Sequence, residues 1–144
     1  MKVLLVQPSP PSEARVSALT ARGHSVTVLT SNLGAARTTA RVALTRPDRA
    51  VVTYGATTFP ALKLLGARRI PVVLEVDTRI DDARGLAKEA ARQALASAAR
   101  SASALVVRSE AMAAHLEREV GIRGAQVLTT GPDISSLAPI PREA

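Results

Sequence analysis

The stretch "PVVLEVDTRIDDARG" (71–85) concentrates the groups best suited to grip a polar ligand or move a proton. Side chains two apart on an extended segment point the same way, so Glu75 and Asp77 can share one ligand or one proton. The competing reading is structural: Glu75 in an ion pair with Arg79 or Arg108, and Asp77 opening a turn. Both readings put a buried strand at Val72, Val73 and Leu74 whose far end opens onto a polar crevice, with Asp81 or Asp82 capping the helix that follows. "GPD" at 131–133 is first a turn, and as a loop at a strand end it is also well placed to meet a ligand.

Other chemistries are excluded by what is missing. No G-x-G-x-x-G or G-x-x-x-x-G-K-[ST] follows any apolar run, which removes the two commonest phosphate cradles. Cysteine is absent, and with it disulfides, thiolate catalysis and thiolate-bound metals. Two histidines, His24 and His115, are too few for a metal cluster and have no spacing that would assemble a Ser-His-Asp triad. His24 precedes the second apolar run, at the amino end of the expected sheet, and His115 lies two turns inside a helix as a packed or surface residue. No catalytic residue, metal or cofactor is therefore assigned.

The chain of 144 residues suits one domain with a single core. Nineteen Lys and Arg, sixteen of them Arg, oppose twelve acids for a net charge of +7, which raises nucleic acid as a partner. The bases are scattered at helix-surface spacing, and Tyr54 and Phe59 are the only aromatics, so base stacking has almost no platform and nucleic acid is disfavoured. The apolar run near the start, Val3 to Val6, is too short for an export signal or a membrane span, which points to a cytoplasmic protein without a transmembrane segment.

The elements that must position these groups follow from periodicity. Six short apolar runs recur at 2–6, 25–30, 50–54, 71–76, 104–108 and 125–130. Most are apolar on both faces, as in a parallel sheet covered on both sides. Between them, helical spacing predicts helices over 12–22, about 35–45, 57–67, 82–101 and 109–120, with Ser12 and Ser109 as caps and Gly23 and Gly121 as terminators. Strand and helix alternation gives an α/β fold: an open, mostly parallel Rossmann-like sheet of about six strands with helices on both faces. Ligands of such sheets sit at the carboxyl ends of the strands. Residues 134–144 read as a tail or linker.

Four segments together resemble the amino-terminal domain of GT-B fold, family 4 retaining glycosyltransferases: "MKVLLVQPSPP" with "LTARGHSVTVLTS", then "IPVVLEVDTRIDDARGLA", "SASALVVRSEAMAAHL" and "AQVLTTGPDISSLAP". They occur in the family's order and cover nearly the whole chain. The resemblance implies a Rossmann-like, acceptor-side domain over 1–144, whose acceptor site is bordered by Gln7, Pro8 and Ser9 and lined by Tyr54, Glu75, Asp77 and Arg79. Ser109 and Glu110 would lie by the cleft, and Gly131 and Asp133 near the interdomain crossing. Three features depart from the family's pattern: "SEARV" replaces its glycine pair, Asp77 its histidine and Thr130 its asparagine. The implied partners, a nucleotide-sugar and an acceptor, require a carboxyl-terminal domain or partner chain bearing an E-x7-E motif, so the domain alone is expected to be inactive. The alternative is a non-catalytic binding or scaffold module of the same fold, for which a homodimer would cover the exposed face.

Overall fold

A computed structural model describes residues 1–8, 13–32, 34–76 and 86–127. Strands and helices alternate throughout: β1 (Lys2–Gln7), α1 (Glu13–Ala21), β2 (Ser25–Thr30), α2 (Ala35–Ala43), β3 (Arg49–Thr53), α3 (Phe59–Ala67), β4 (Val72–Glu75), α4 (Leu86–Ser101), β5 (Ala104–Val107), α5 (Glu110–Val120) and β6 (Gln126–Val127). The six strands form one sheet in the order β2-β1-β3-β4-β5-β6, and every neighbouring pair is parallel. The open α/β architecture expected from the apolar runs is thus present, and the sheet expected to be mostly parallel is parallel throughout. The helices expected over 12–22 and 82–101 are seen from Glu13 and from Leu86. The proposed caps Ser12, Asp81 and Asp82, and the tail 134–144, lie outside the described residues.

The strand order fixes which face each helix covers. The chain steps from β1 outward to β2, crosses back past β1 to β3, and then continues outward to β6. Because crossovers between parallel strands are right-handed, the one step in the opposite direction sends its helix to the opposite face. Accordingly α2, α3, α4 and α5 pack as consecutive neighbours on one face, whereas α1 rests against β2 on the other.

The four-helix face holds the dry core. Val6, Val52, Val72 and Leu74 from the sheet meet Val42, Leu62, Leu65, Leu95 and Leu116 from the helices, all at 0% exposure. His115 is packed beside Leu116 at 1% exposure. The α1 face is thinner: no residue of α1 is buried, and β3 and β4 alternate buried with half-buried residues, leaving Val51 and Val73 partly open. Helices thus lie on both faces, as expected, but unequally: one short helix covers the second face among the described residues.

Local chemistry sets the helix ends. The Ser109 hydroxyl accepts from the Met112 amide at 3.1 Å, as expected of an N-cap, and α5 stops at Gly121, whose φ of 79° is a left-handed conformation. Helices α4 and α5 are cross-linked by Glu119, which accepts from Arg92 at 2.9 Å and faces Lys88 at 3.5 Å. The Arg92 hydrogen bond and the Lys88 charge hold the Glu119 carboxyl below its ordinary range.

Candidate functional site

All strands run the same way, so their carboxyl ends share one rim, and the strand order reverses between β1 and β3. Gln7 ends β1 there at 9% exposure, followed by exposed Pro8. Its carbonyl accepts from the Ser31 amide at 2.9 Å, which ties the end of β2 to the end of β1. The Thr57 hydroxyl donates to Ser31 Oγ at 2.9 Å, and the buried Thr58 hydroxyl donates to the Thr53 carbonyl at 2.6 Å. These bonds lock the loop after β3 against its neighbours, a fixed wall for the crevice rather than a mobile strap.

Glu75 closes the other side. Its carbonyl accepts from the Tyr54 amide at 2.8 Å, continuing the β3–β4 ladder by one residue. Its carboxylate accepts from Arg15 Nη2 at 2.7 Å, both side chains being about one-fifth exposed. Among the described residues the partner of Glu75 is thus Arg15, from α1, which reaches across β1 and β3, and not the expected alternative Arg108. Arg108 is exposed, and Arg79 lies outside the described residues. In register, Thr53 is paired with Glu75 and Val6 with Val52, so Gln7, Thr53 and Glu75 form one row on the α1 face.

Tyr54, half-buried, alternates to the opposite face and packs edge-on against Phe59, with ring centroids 6.5 Å apart and planes at 79°. Burial pushes its phenol above the ordinary value, so the hydroxyl stays protonated and able to donate throughout the neutral range. Chemically the α1 side of this rim carries the anchored Glu75 carboxylate and Gln7, and the other side carries the neutral Tyr54 phenol, polar groups of the kind that meet the hydroxyls of a polyol. Among the described residues no group of three or more His, Cys, Asp or Glu is placed to hold a metal ion.

Of the residues singled out from sequence, Gln7, Pro8, Tyr54 and Glu75 gather at this rim. Ser109 and Glu110 stand on the same rim after β5, two strands from β3 and so roughly 10 Å away. The Ser109 hydroxyl is occupied in capping α5, while Glu110 is exposed in the first turn. Ser9, Asp77, Arg79, Gly131 and Asp133 lie outside the described residues. Sequence reasoning placed Ser31 and Thr57 at the strand ends without the bond between them, and missed Arg15. A signal for Arg15 was present: it is the third residue of α1, where the helix dipole disfavours a cation unless a carboxylate answers it.

A family model described as a glycosyl transferase 4-like domain matches residues 33–132, from the turn before α2 to beyond β6. The chain belongs to the glycosyl transferase 4-like domain family. The matched region contains Tyr54, Glu75, Ser109 and Glu110, while Gln7, Pro8 and Arg15 precede it. No curated protein matches the chain. Among solved structures, a mutant of the esterase AlinE4 is similar with a TM-score of 0.50 and 15% identity, covering 99% of this chain and 93% of that one. At that identity the likeness concerns the fold alone. Membership in a glycosyl transferase 4-like family associates the domain with sugar transfer in general. No described helix is long and apolar enough to cross a membrane.

Proposed function

We propose that this domain is the amino-terminal, acceptor-binding half of a GT-B glycosyltransferase that uses a nucleotide-sugar donor. The observation that carries the reading is the rim at the strand-order reversal, where the row of Gln7, Thr53 and the Arg15-anchored Glu75 ends beside Tyr54, in a chain of the glycosyl transferase 4-like family. A polyol acceptor lying on this row would donate hydroxyl protons to Glu75. Transfer also needs the donor held against the acceptor in a closed, water-poor cleft, and one wall cannot supply both subsites. A second domain or partner chain bearing an E-x7-E motif would complete the site; Asp77 and Arg79 are proposed as further acceptor residues, and Gly131 and Asp133 as residues of the interdomain crossing.

The test is turnover with and without that second wall. Incubation of this chain alone with nucleotide-sugars and sugar acceptors should release no nucleotide above the hydrolysis background. Addition of the completing chain should restore transfer, and Glu75→Gln should then raise the acceptor KM with a smaller change in kcat. Transfer by the isolated chain would overturn the half-enzyme reading.

A further inference from the structure

The rim opposite the crevice has a different composition. The amino ends of all six strands, with the loops that feed them, share this edge because the sheet is wholly parallel. Lys2, Arg22, Arg46, Arg49, Arg68 and Arg69 lie along it, all exposed; of the exposed acids described there, the Asp48 carboxylate is already engaged by the Lys2 amide at 2.7 Å. The acids at the end of α5 are paired as well, Glu117 with Arg123 and Glu119 with Arg92 and Lys88. At the crevice rim the described charges nearly balance, with Glu13, Glu75 and Glu110 beside Arg15 and Arg108.

The same edge carries both large hydrophobic residues that the described surface exposes. Leu44 is 87% exposed just after α2, and Met1 is 50% exposed at the start of β1. Arg68 brackets Leu44 by donating to the Ala43 carbonyl at 3.1 Å and the Thr45 carbonyl at 3.4 Å. A cavity of about 260 Å³ opens beside it, lined by Lys2, Ser25, Thr27, Thr45 and Arg46 among others. Arg69 adds a further observation. It follows α3 with φ of 59°, the left-handed region that Gly23 and Gly121 occupy after α1 and α5. An arginine there costs more than a glycine would, so a cation is kept on this edge at the expense of backbone strain.

We propose that this amino-end rim docks the domain onto an anionic lipid bilayer, with Leu44 entering the headgroup–acyl boundary and the surrounding arginines pairing with lipid phosphates. Exposed aliphatic side chains ringed by cations suit an interface that is apolar within and anionic at its surface. A nucleic acid fits less well, because stacking needs rings, and Tyr54 and Phe59 both sit at the opposite rim, against each other. Docked in this way, the crevice rim faces the aqueous side. The proposal does not depend on the sugar-transfer reading.

Co-sedimentation of the full chain with vesicles tests it. Phosphatidylcholine vesicles containing phosphatidylglycerol should carry the protein down, pure phosphatidylcholine vesicles should not, and added salt should release it. Leu44→Glu and Arg69→Glu should each weaken binding about tenfold, while Arg37→Glu, the same charge change at the other end of α2, should alter it less than about twofold. Leu44 and Arg69 are both exposed, and circular dichroism of each variant should match the parent. Absence of sedimentation with the anionic vesicles, equal loss in Arg37→Glu, or tighter retention of single-stranded RNA than of vesicles would overturn the lipid assignment.

Discussion

The two faces of the sheet are held by different physics. On one, four helices interlock over aliphatic side chains at 0% exposure. On the other, α1 buries none of its own residues, and its described tie to the strands beyond its neighbour β2 is the ion pair from Arg15 to Glu75. The thick face supplies stability, and the thin one leaves the crevice row accessible. The lesson is that a doubly wound sheet need not be symmetrically buried: the strand order assigns most helices to one side, and the candidate row lies where the described coverage is least.

Three substitutions break or sharpen this contrast. Leu62→Ala on α3 opens a cavity in the thick face and should cost about 3 kcal/mol in urea unfolding, with an unchanged m-value. Val73→Ala removes the same kind of group from the thin face, where water already reaches, and should cost only about 1 kcal/mol. Equal losses at the two positions would show the faces to be packed alike. The smallest effect is expected from Arg15→Ala, about 0.5 kcal/mol in global stability, because the pair is partly exposed. Its signature is local: amide hydrogen exchange should accelerate in α1 and leave α3 and α4 unchanged. Uniform acceleration would mean that the ion pair supports the whole domain.

Much of the architecture was readable in the chain. Runs such as "SVTVLT" and "KVLLV" are β-branched and apolar, and their limits fall within about two residues of the strands, since parallel strands must be short and largely buried. Gly23 and Gly121 marked helix ends because a left-handed residue is needed there, and Ser109 marked a beginning because its hydroxyl replaces a missing amide partner. Strand order was less accessible. Nothing local in β1 says that it pairs with both β2 and β3, and the unequal covering of the two faces depends on that order. The partner of Glu75 was hidden for a related reason. Reasoning by proximity nominated Arg79 and Arg108, whereas Arg15 is 60 residues away and is delivered by the crossover through α1. Leu44 was likewise counted with its helix, although it falls one residue past α2, where the burial rhythm no longer applies.

The interior position of β1 has a consequence for how the chain is made. Of the six strands it is the first to be synthesised, yet it cannot acquire its second flanking strand until residues 49–53 have emerged, nor its roof until α2 and α3 follow. Leu4 and Val6, at 1% and 0% exposure in the finished domain, therefore remain uncovered until α3, which ends at Ala67, has emerged. Nascent chains arrested before α3 should be the aggregation-prone and chaperone-dependent species, whereas those arrested beyond it can already close the centre of the sheet.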